Sequence, residues 1–92
     1  MFKLYKVEKV TAGTSAKSVM VSGRAFLIAN NSESASVYFK EKARDNTSAT
    51  SSNGFLLPAG KTTDEPIVAE ELSIVASAAS TDVRVLILEC YA

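Results

Sequence analysis

The residues that most suggest a chemical function are Gly60-Lys61-Thr62, because the same three residue types end the phosphate-binding loop of nucleotide enzymes. That loop has four residues between its first glycine and the Gly-Lys pair, whereas five separate Gly54 from Gly60 here. One of the five, Pro58, has no backbone N–H to offer a phosphate. The acids and proline that follow are not typical of the helix that must support a bound anion. The pattern instead predicts a short strand, Phe55 to Leu57, and a tight turn after it.

Few other side chains could carry out catalysis. The sequence has no His and a single Cys, Cys90, which excludes an intrachain disulfide and most metal and nucleophile–base sites. The adjacent acids Asp64-Glu65 and Glu70-Glu71 would point to opposite faces of a strand. They are more typical of solvated turns and edges than of a general acid and base. We therefore predict no catalytic residue, no metal site and no cofactor.

Length and composition predict one small all-β domain. The 92 residues suffice for one core, and 47% apolar with 22% charged residues is usual for globular proteins. Strand-forming and turn-forming residues recur along the chain, and no helical period is sustained. We predict that residues 1–92 form a single antiparallel β-sandwich, jelly-roll-like or Ig-like, of about seven or eight short strands.

The charges balance overall but are unevenly distributed. A formal net charge of zero predicts neither nucleic acid nor a membrane surface as a partner. Residues 1–44 carry eight cations and three carboxylates, whereas residues 45–92 carry two cations and seven carboxylates. We favour an interpretation in which strands of the two halves interleave and pair their charges. The alternative is a bipolar surface that favours head-to-tail contacts between copies.

Residues 1–9 carry a charge at every second or third position and lack the apolar segment of a signal peptide. Their apolar members Phe2, Leu4 and Val7 are predicted to face the core.

The next prediction is a hairpin, in which the strand ending at Asn30 returns as Ala35 to Lys40. In the returning strand, alternation places Ala35, Val37 and Phe39 inward.

A polar segment, residues 41–53, is predicted to be a long exposed loop. Loops of this length in compact domains are usually functional or mobile. Its charged and polar residues are candidates for binding a partner: Lys42, Arg44, Asp45 and Asn46.

The last segment, Asp82 to Tyr91, is apolar on both faces. One face has Val83, Val85 and Ile87, and the other has Leu86, Leu88 and Cys90. A strand that is apolar on both faces needs cover on both faces. The second cover could be a loop, a shifted register or another subunit, so Leu86, Leu88 and Cys90 are candidates for self-association.

From Phe26 to Glu89 the order of segments resembles small β-sandwich structural proteins of tailed-bacteriophage and prophage virions. The segments are Leu-Ile-Ala-Asn-Asn (27–31), Val-Tyr-Phe (37–39), Asn-Gly-Phe-Leu-Leu-Pro-Ala-Gly-Lys (53–61), Leu-Ser-Ile-Val-Ala-Ser-Ala (72–78) and Val-Arg-Val-Leu-Ile-Leu-Glu (83–89). In those proteins a Leu-Pro-x-Gly turn precedes two strands that end in an alternating Val/Leu run. The resemblance implies a capsid-decoration, head-fibre or tail-associated component, present in identical copies and assembled in the cytoplasm of a bacterial host. The implied partners are further copies and other virion proteins.

Two functions therefore remain open. The first is a non-enzymatic virion protein that self-associates through its C-terminal strand. The second is a module that binds a host-surface glycan or a protein partner through the 41–53 loop. Neither function requires a small-molecule substrate.

Overall fold

A computed structural model describes residues 2–42 and 46–90, and in these residues it contains strands and no helix. The eight strands are β1 (Phe2–Ala12), β2 (Lys17–Met20), β3 (Ala25–Asn30), β4 (Val37–Glu41), β5 (Phe55–Leu57), β6 (Ile67–Val68), β7 (Glu71–Ala76) and β8 (Thr81–Cys90). They form two antiparallel sheets that pack together, so the prediction of an all-β sandwich is confirmed.

The strand order identifies the sandwich as a jelly roll. Sheet A has the order β1-β8-β3-β6, and sheet B has the order β2-β7-β4-β5. The first strand pairs with the last, and the pairing continues inward through β2–β7 and β3–β6 to β4–β5. This nesting is the double Greek key of a jelly roll and not the strand arrangement of an immunoglobulin domain.

The core lies between the sheets and depends most on β8. This strand is flanked by β1 and β3 in sheet A. Its residues Val83, Val85 and Ile87 are at most 1% exposed and pack in the main apolar cluster. Each such side chain contributes roughly 1.5–3 kcal/mol of transfer free energy when it is removed from water. The predicted grouping of these three residues on one face of the strand is therefore confirmed, and this is the face that lies in the core.

The predicted hairpin between β3 and β4 is wrong, because the two strands belong to different sheets. The connection after Asn30 crosses from sheet A to sheet B and does not fold back within one sheet. The alternation predicted for the returning strand is confirmed, since Ala35, Val37 and Phe39 are all buried. Alternation reports which face of a strand is buried, and it cannot report which strand lies alongside.

Asn30 determines the course of this crossing. Its side chain is 1% exposed, and its Nδ2 donates to the carbonyl oxygens of Ala35 at 2.9 Å and Leu57 at 3.0 Å. Its Oδ1 accepts a hydrogen bond from the backbone N–H of Ser32 at 3.0 Å. One amide thus links the end of β3, the crossing segment and the end of β5, and so joins the two sheets.

The Gly60–Thr62 segment lies along β3 and not around a phosphate. The Lys61 N–H donates to the Pro58 carbonyl at 3.1 Å, and Gly60 has a φ of 74°, as a tight turn requires. The backbone of Asn30 then donates to Lys61 at 2.8 Å and accepts from Gly60 at 3.0 Å. The predicted strand and turn are confirmed, and the turn leads the chain from sheet B to the side of sheet A.

Replacing Asn30 with Ala should destabilise the protein by about 3 kcal/mol, since it leaves two buried carbonyl groups and one N–H without their partner. The free energy of unfolding is measured by urea denaturation followed by circular dichroism. Ser34→Ala, in the same connection but exposed, is the matched control and should change that free energy by less than about 0.5 kcal/mol. Equal values for the two variants would contradict the role assigned to Asn30.

Candidate interaction surfaces

The outer face of sheet A carries a group of apolar side chains. In the register of the sheet, Val7 and Leu27 flank Leu86 from opposite sides, and Leu4 lies beside Leu88. Because Val85 and Ile87 face the core, alternation places this row on the outer face. Leu4 is 55% exposed and Val7 is 47% exposed, whereas Leu27 and Leu86 are half-buried. We call Leu4, Val7, Leu27 and Leu86 the outer patch.

The expectation that Phe2, Leu4 and Val7 face the core is wrong. All three are about half exposed, at 46%, 55% and 47%. The register shifts between Leu4 and Lys6, which marks a β-bulge at Tyr5. After the bulge, Lys6 and Glu8 pair with the core residues Ile87 and Val85 of β8. Val7 therefore lies on the outer face of the sheet. The bulge is a backbone irregularity that a regular period-two pattern cannot include.

The three residues predicted for self-association have different surroundings. Leu86 lies within the outer patch. Leu88 is only 9% exposed and can offer little surface to another molecule. The backbone of Cys90 pairs with Phe2, but the Cys90 side chain lies outside what the structure describes. Since β8 has a neighbour on each edge, only its outer face is open to a partner.

A charged pair borders the outer patch. Arg84 donates hydrogen bonds from Nε and Nη2 to the two Asp82 carboxylate oxygens, at 3.0 and 3.2 Å. These bonds hold the pKa of the Asp82 carboxyl below its ordinary value. At the other end of β8, Lys3 and Glu89 form an ion pair at 3.3 Å, but alternation places it on the opposite face of sheet A. The border therefore presents both signs of charge, in a partly exposed pair that contributes little to stability.

Two of the ion pairs join the basic and acidic halves of the chain. Lys3 pairs with Glu89, and Lys42 approaches Glu71 at 3.9 Å. The prediction that interleaved strands would pair their charges is confirmed for these residues.

The edge of β1 carries features that disfavour pairing with another strand. β1 runs for 11 residues at one end of sheet A. Its inner side shows the charged pair Lys6–Glu8, with a separation of 2.8 Å, and it has the bulge at Tyr5. The hydrogen bond from Lys6 to Glu8 raises the pKa of the Lys6 ammonium. Inward-pointing charges and bulges are common protections of sheet edges, so the outer face is the more accessible surface of sheet A.

The connection from β4 to β5 packs across the outer face of sheet B. Ala49 is 3% exposed, and its N–H donates to the hydroxyl of the fully buried Ser73 at 2.9 Å. The Lys40 ammonium also donates to the backbone and hydroxyl oxygens of Thr47. Among its described residues 46–53 all but Ala49 are exposed, while the backbone is held against the sheet at Ala49.

The predicted partner-binding residues differ in accessibility. Lys42 is half-buried, and its N–H donates to the Glu71 carbonyl at 2.8 Å, so this residue is part of the framework. Asn46 is exposed, has a φ of 56° and donates its N–H to the Lys42 carbonyl at 2.8 Å. Arg44 and Asp45 lie outside the described residues. Partner binding by these four side chains stays a prediction.

A cleft of about 1030 Å³ opens between β5 and β6. Its floor includes the core residues Phe26, Phe39 and Leu72. Its walls include Phe55, which is 67% exposed and stacks obliquely on Phe39 at 5.4 Å, and Val68, which is 65% exposed. Polar residues at its mouth include Lys61, Asp64 and Glu65. The cleft exists because two very short strands, of three and two residues, end the sheets on this side.

The opposite side of the sandwich has a smaller groove of about 380 Å³ between β1 and β2. Three lysines line this groove, with a single carboxylate from Glu8; they are Lys6, Lys9 and Lys17. Met20, which is 62% exposed, lies at the same place. This side is therefore basic with an exposed apolar side chain.

Sequence patterns did not reveal the cleft. Phe55 and Val68 lie in apolar segments, and such segments are normally assigned to the core. The signal that could have identified them is strand length, because strands of two or three residues cannot cover the edge of a sandwich.

Within residues 2–42 and 46–90, no cluster of three or more His, Cys, Asp or Glu side chains is arranged to hold a metal ion. The same part of the chain contains no helix that is long and apolar enough to cross a membrane.

No protein-family model, no curated protein and no solved structure matches this chain. The function proposed below therefore rests on the residues, their geometry and the resemblance described in the sequence analysis.

Replacing Gly54 with Ala should destabilise the protein by about 1–3 kcal/mol, because the new methyl group has no room. It would lie 2.9 Å from the Tyr38 Cβ and 3.0 Å from the Thr50 carbonyl oxygen. Gly13→Ala is the matched control, since its methyl group would meet nothing nearer than 3.9 Å. Urea denaturation of both variants measures the difference, and a Gly54→Ala variant as stable as the control would refute the close packing of the loop on β4.

Proposed function

We propose that this chain is a non-enzymatic structural protein of a phage or prophage virion, which self-associates and decorates or joins capsid or tail parts. The observation that carries the self-association is the outer patch, in which Leu4 and Val7 remain about half exposed beside Leu27 and Leu86. Contiguous exposed apolar side chains with a polar border are typical of protein–protein contacts. The virion context is supported by the sequence resemblance, and the jelly roll agrees with it, since this fold occurs in viral capsid domains among others.

The partner we assign to the outer patch is a second copy of the chain, packed face to face about a two-fold axis. In such a contact each surface meets itself, so a group of apolar side chains is automatically complementary. The bordering pair Asp82–Arg84 contains both signs and could exchange partners across the axis. A standard interface buries about 800 Å² per partner, roughly one-seventh of the 5331 Å² accessible surface.

An assembly role is consistent with the chemistry of the chain. The sequence has no His, and its single Cys ends β8. Packing of identical copies needs neither residue, whereas it does need a rigid scaffold with a defined outer face. Assembly would take place in the cytoplasm of the bacterial host, with other virion proteins as further partners.

One observation favours the alternative of a binding module. The loop after β4 is polar and exposed, yet its tip is ordered by hydrogen bonds between Thr50 and Asn53 and from Asn53 to the Ser48 carbonyl. A preorganised polar loop loses little entropy when it binds a glycan or a protein.

Changing the exposed tip residues Ser51 and Ser52 to Arg should abolish capture of a glycan or host protein if this loop is the binding site. The readout is a glycan array together with pull-down from host envelope extracts. Capture that survives in the variant would exclude the loop, and no capture by the wild-type protein would remove the alternative altogether.

Replacing Val7 with Lys should abolish the face-to-face contact, because two unpaired ammonium groups would then be buried near the two-fold axis. Size-exclusion chromatography with light scattering should show dissociation at concentrations where the wild-type protein is associated. The fold should persist, since Val7 is 47% exposed.

Ser34→Lys is the control, because Ser34 is exposed in the connection between β3 and β4, which crosses from sheet A to sheet B. This variant should associate like the wild-type protein. A wild-type protein that is monomeric at high micromolar concentration, or a Val7→Lys variant that associates normally, would contradict the proposed contact.

A further inference from the structure

We propose that copies of this chain also contact one another head to tail, with the β1–β2 side of one copy against the β5–β6 side of the next. The inference rests on the proposed function in that the partner is another copy. It concerns opposite sides of the sandwich and not the outer face of sheet A; among the charged residues of the β1–β2 groove, Lys9 alone belongs to both, since it lines that groove and follows Val7 on the outer face.

The topology of the fold creates these two sides. β1 and β2 each begin the strand order of their sheet, and β6 and β5 each end it. The groove between β1 and β2 and the cleft between β5 and β6 therefore lie at opposite sides of one sandwich. When the β1–β2 side of one copy binds the β5–β6 side of the next, one side of each kind stays unoccupied at the ends of the pair. Further copies can therefore add by the same contact.

The charges of the two sides are complementary. Lys9 and Lys17 are exposed on the β1–β2 side, where Lys6 is paired with Glu8. On the β5–β6 side Asp64 and Glu65 are exposed at the mouth of the cleft, near a single exposed cation, Lys61. The uneven distribution of charge along the sequence thus leaves a residual polarity on the fold, although part of it is cancelled by ion pairs within the molecule.

Both sides also present apolar side chains that a contact would cover. Met20 is 62% exposed beside the basic groove. Phe55 and Val68, the walls of the cleft, are 67% and 65% exposed. Large apolar side chains grouped beside an open cleft are typical of an interaction site. The apolar contact would supply affinity, while the charges would select the orientation.

Contacts between like sides are disfavoured by the same residues. Two β1–β2 sides would bring Lys9 and Lys17 against each other, and two β5–β6 sides would oppose the acids at 64 and 65. Like-charge juxtaposition excludes these pairings and leaves the head-to-tail arrangement. A head-to-tail contact of this kind forms a ring if the rotation between neighbouring copies adds up to a full turn, and otherwise forms a filament.

The test uses two charge-reversal variants of the full chain. The first carries Lys17→Glu, on β2 and away from the outer patch, and the second carries Asp64→Lys and Glu65→Lys. All three positions are exposed, so both variants should fold, which circular dichroism and thermal melting verify. Glu33→Lys is the control, because it reverses an exposed charge in the connection between β3 and β4.

Sedimentation velocity at low salt should show the wild-type protein and the control in species larger than a dimer. Each variant alone should bring like charges together, weaken head-to-tail association roughly tenfold and stop at the dimer of the outer patch. An equimolar mixture of the two variants should restore the larger species, since the reversed sides again complement each other. Misfolding cannot produce such a rescue.

Failure of this proposal is distinguishable from failure of the outer patch. Larger species that persist in both variants, or a mixture that stays dimeric, would overturn the head-to-tail contact and leave the outer patch standing. If Val7→Lys has no effect while the charge variants lose assembly and the mixture regains it, the head-to-tail contact stands alone. A wild-type protein that is monomeric throughout would overturn both.

Discussion

The buried amide of Asn30 is the interaction on which the rest of the structure depends. It satisfies backbone groups in the crossing segment and at the end of β5, while the Asn30 backbone pairs with the turn at Gly60 and Lys61. A buried polar side chain is tolerated only when its hydrogen bonds are made, and each of them then fixes a chain segment. By holding both the turn and the end of β5 to β3, Asn30 joins sheet B to sheet A beside the mouth of the cleft.

The outer patch follows from a second constraint, the position of β8. An inner strand that is apolar on both faces supplies Val83, Val85 and Ile87 to the core and leaves Leu86 on the outside. The bulge in β1 then turns Leu4 and Val7 to the same outer face. The core of so small a sandwich is only two sheets thick, and no strand among residues 2–42 and 46–90 lies over them. A contact with a second copy would cover these apolar side chains without a change in the fold.

The sequence predicted the fold class, the strand character of most segments, the inward residues of β4 and the two apolar faces of β8, because these depend on alternation within single strands. It did not predict the neighbours of β3 and β4, since one buried asparagine decides that crossing and polar turn residues are equally typical of hairpins. The inward assignment of Leu4 and Val7 was wrong for a related reason. A bulge shifts the alternation of inward and outward residues by one position, and the residues around it do not mark it clearly in the sequence. In the candidate surfaces, Leu86 was recognised from its alternating run. The cleft depends on the lengths of β5 and β6, which composition alone does not determine.

The most direct test of the central claim, self-association through the outer patch, is methyl NMR spectroscopy of the wild-type protein over a range of concentrations. The account predicts that the methyl signals of Leu4, Val7, Leu27 and Leu86 shift together as the concentration rises, with a single midpoint. The signals of Val83, Val85 and Ile87 should change little because these side chains lie in the core. Outer-patch signals that do not change with concentration would contradict the account, whether the protein stays monomeric or associates through another surface.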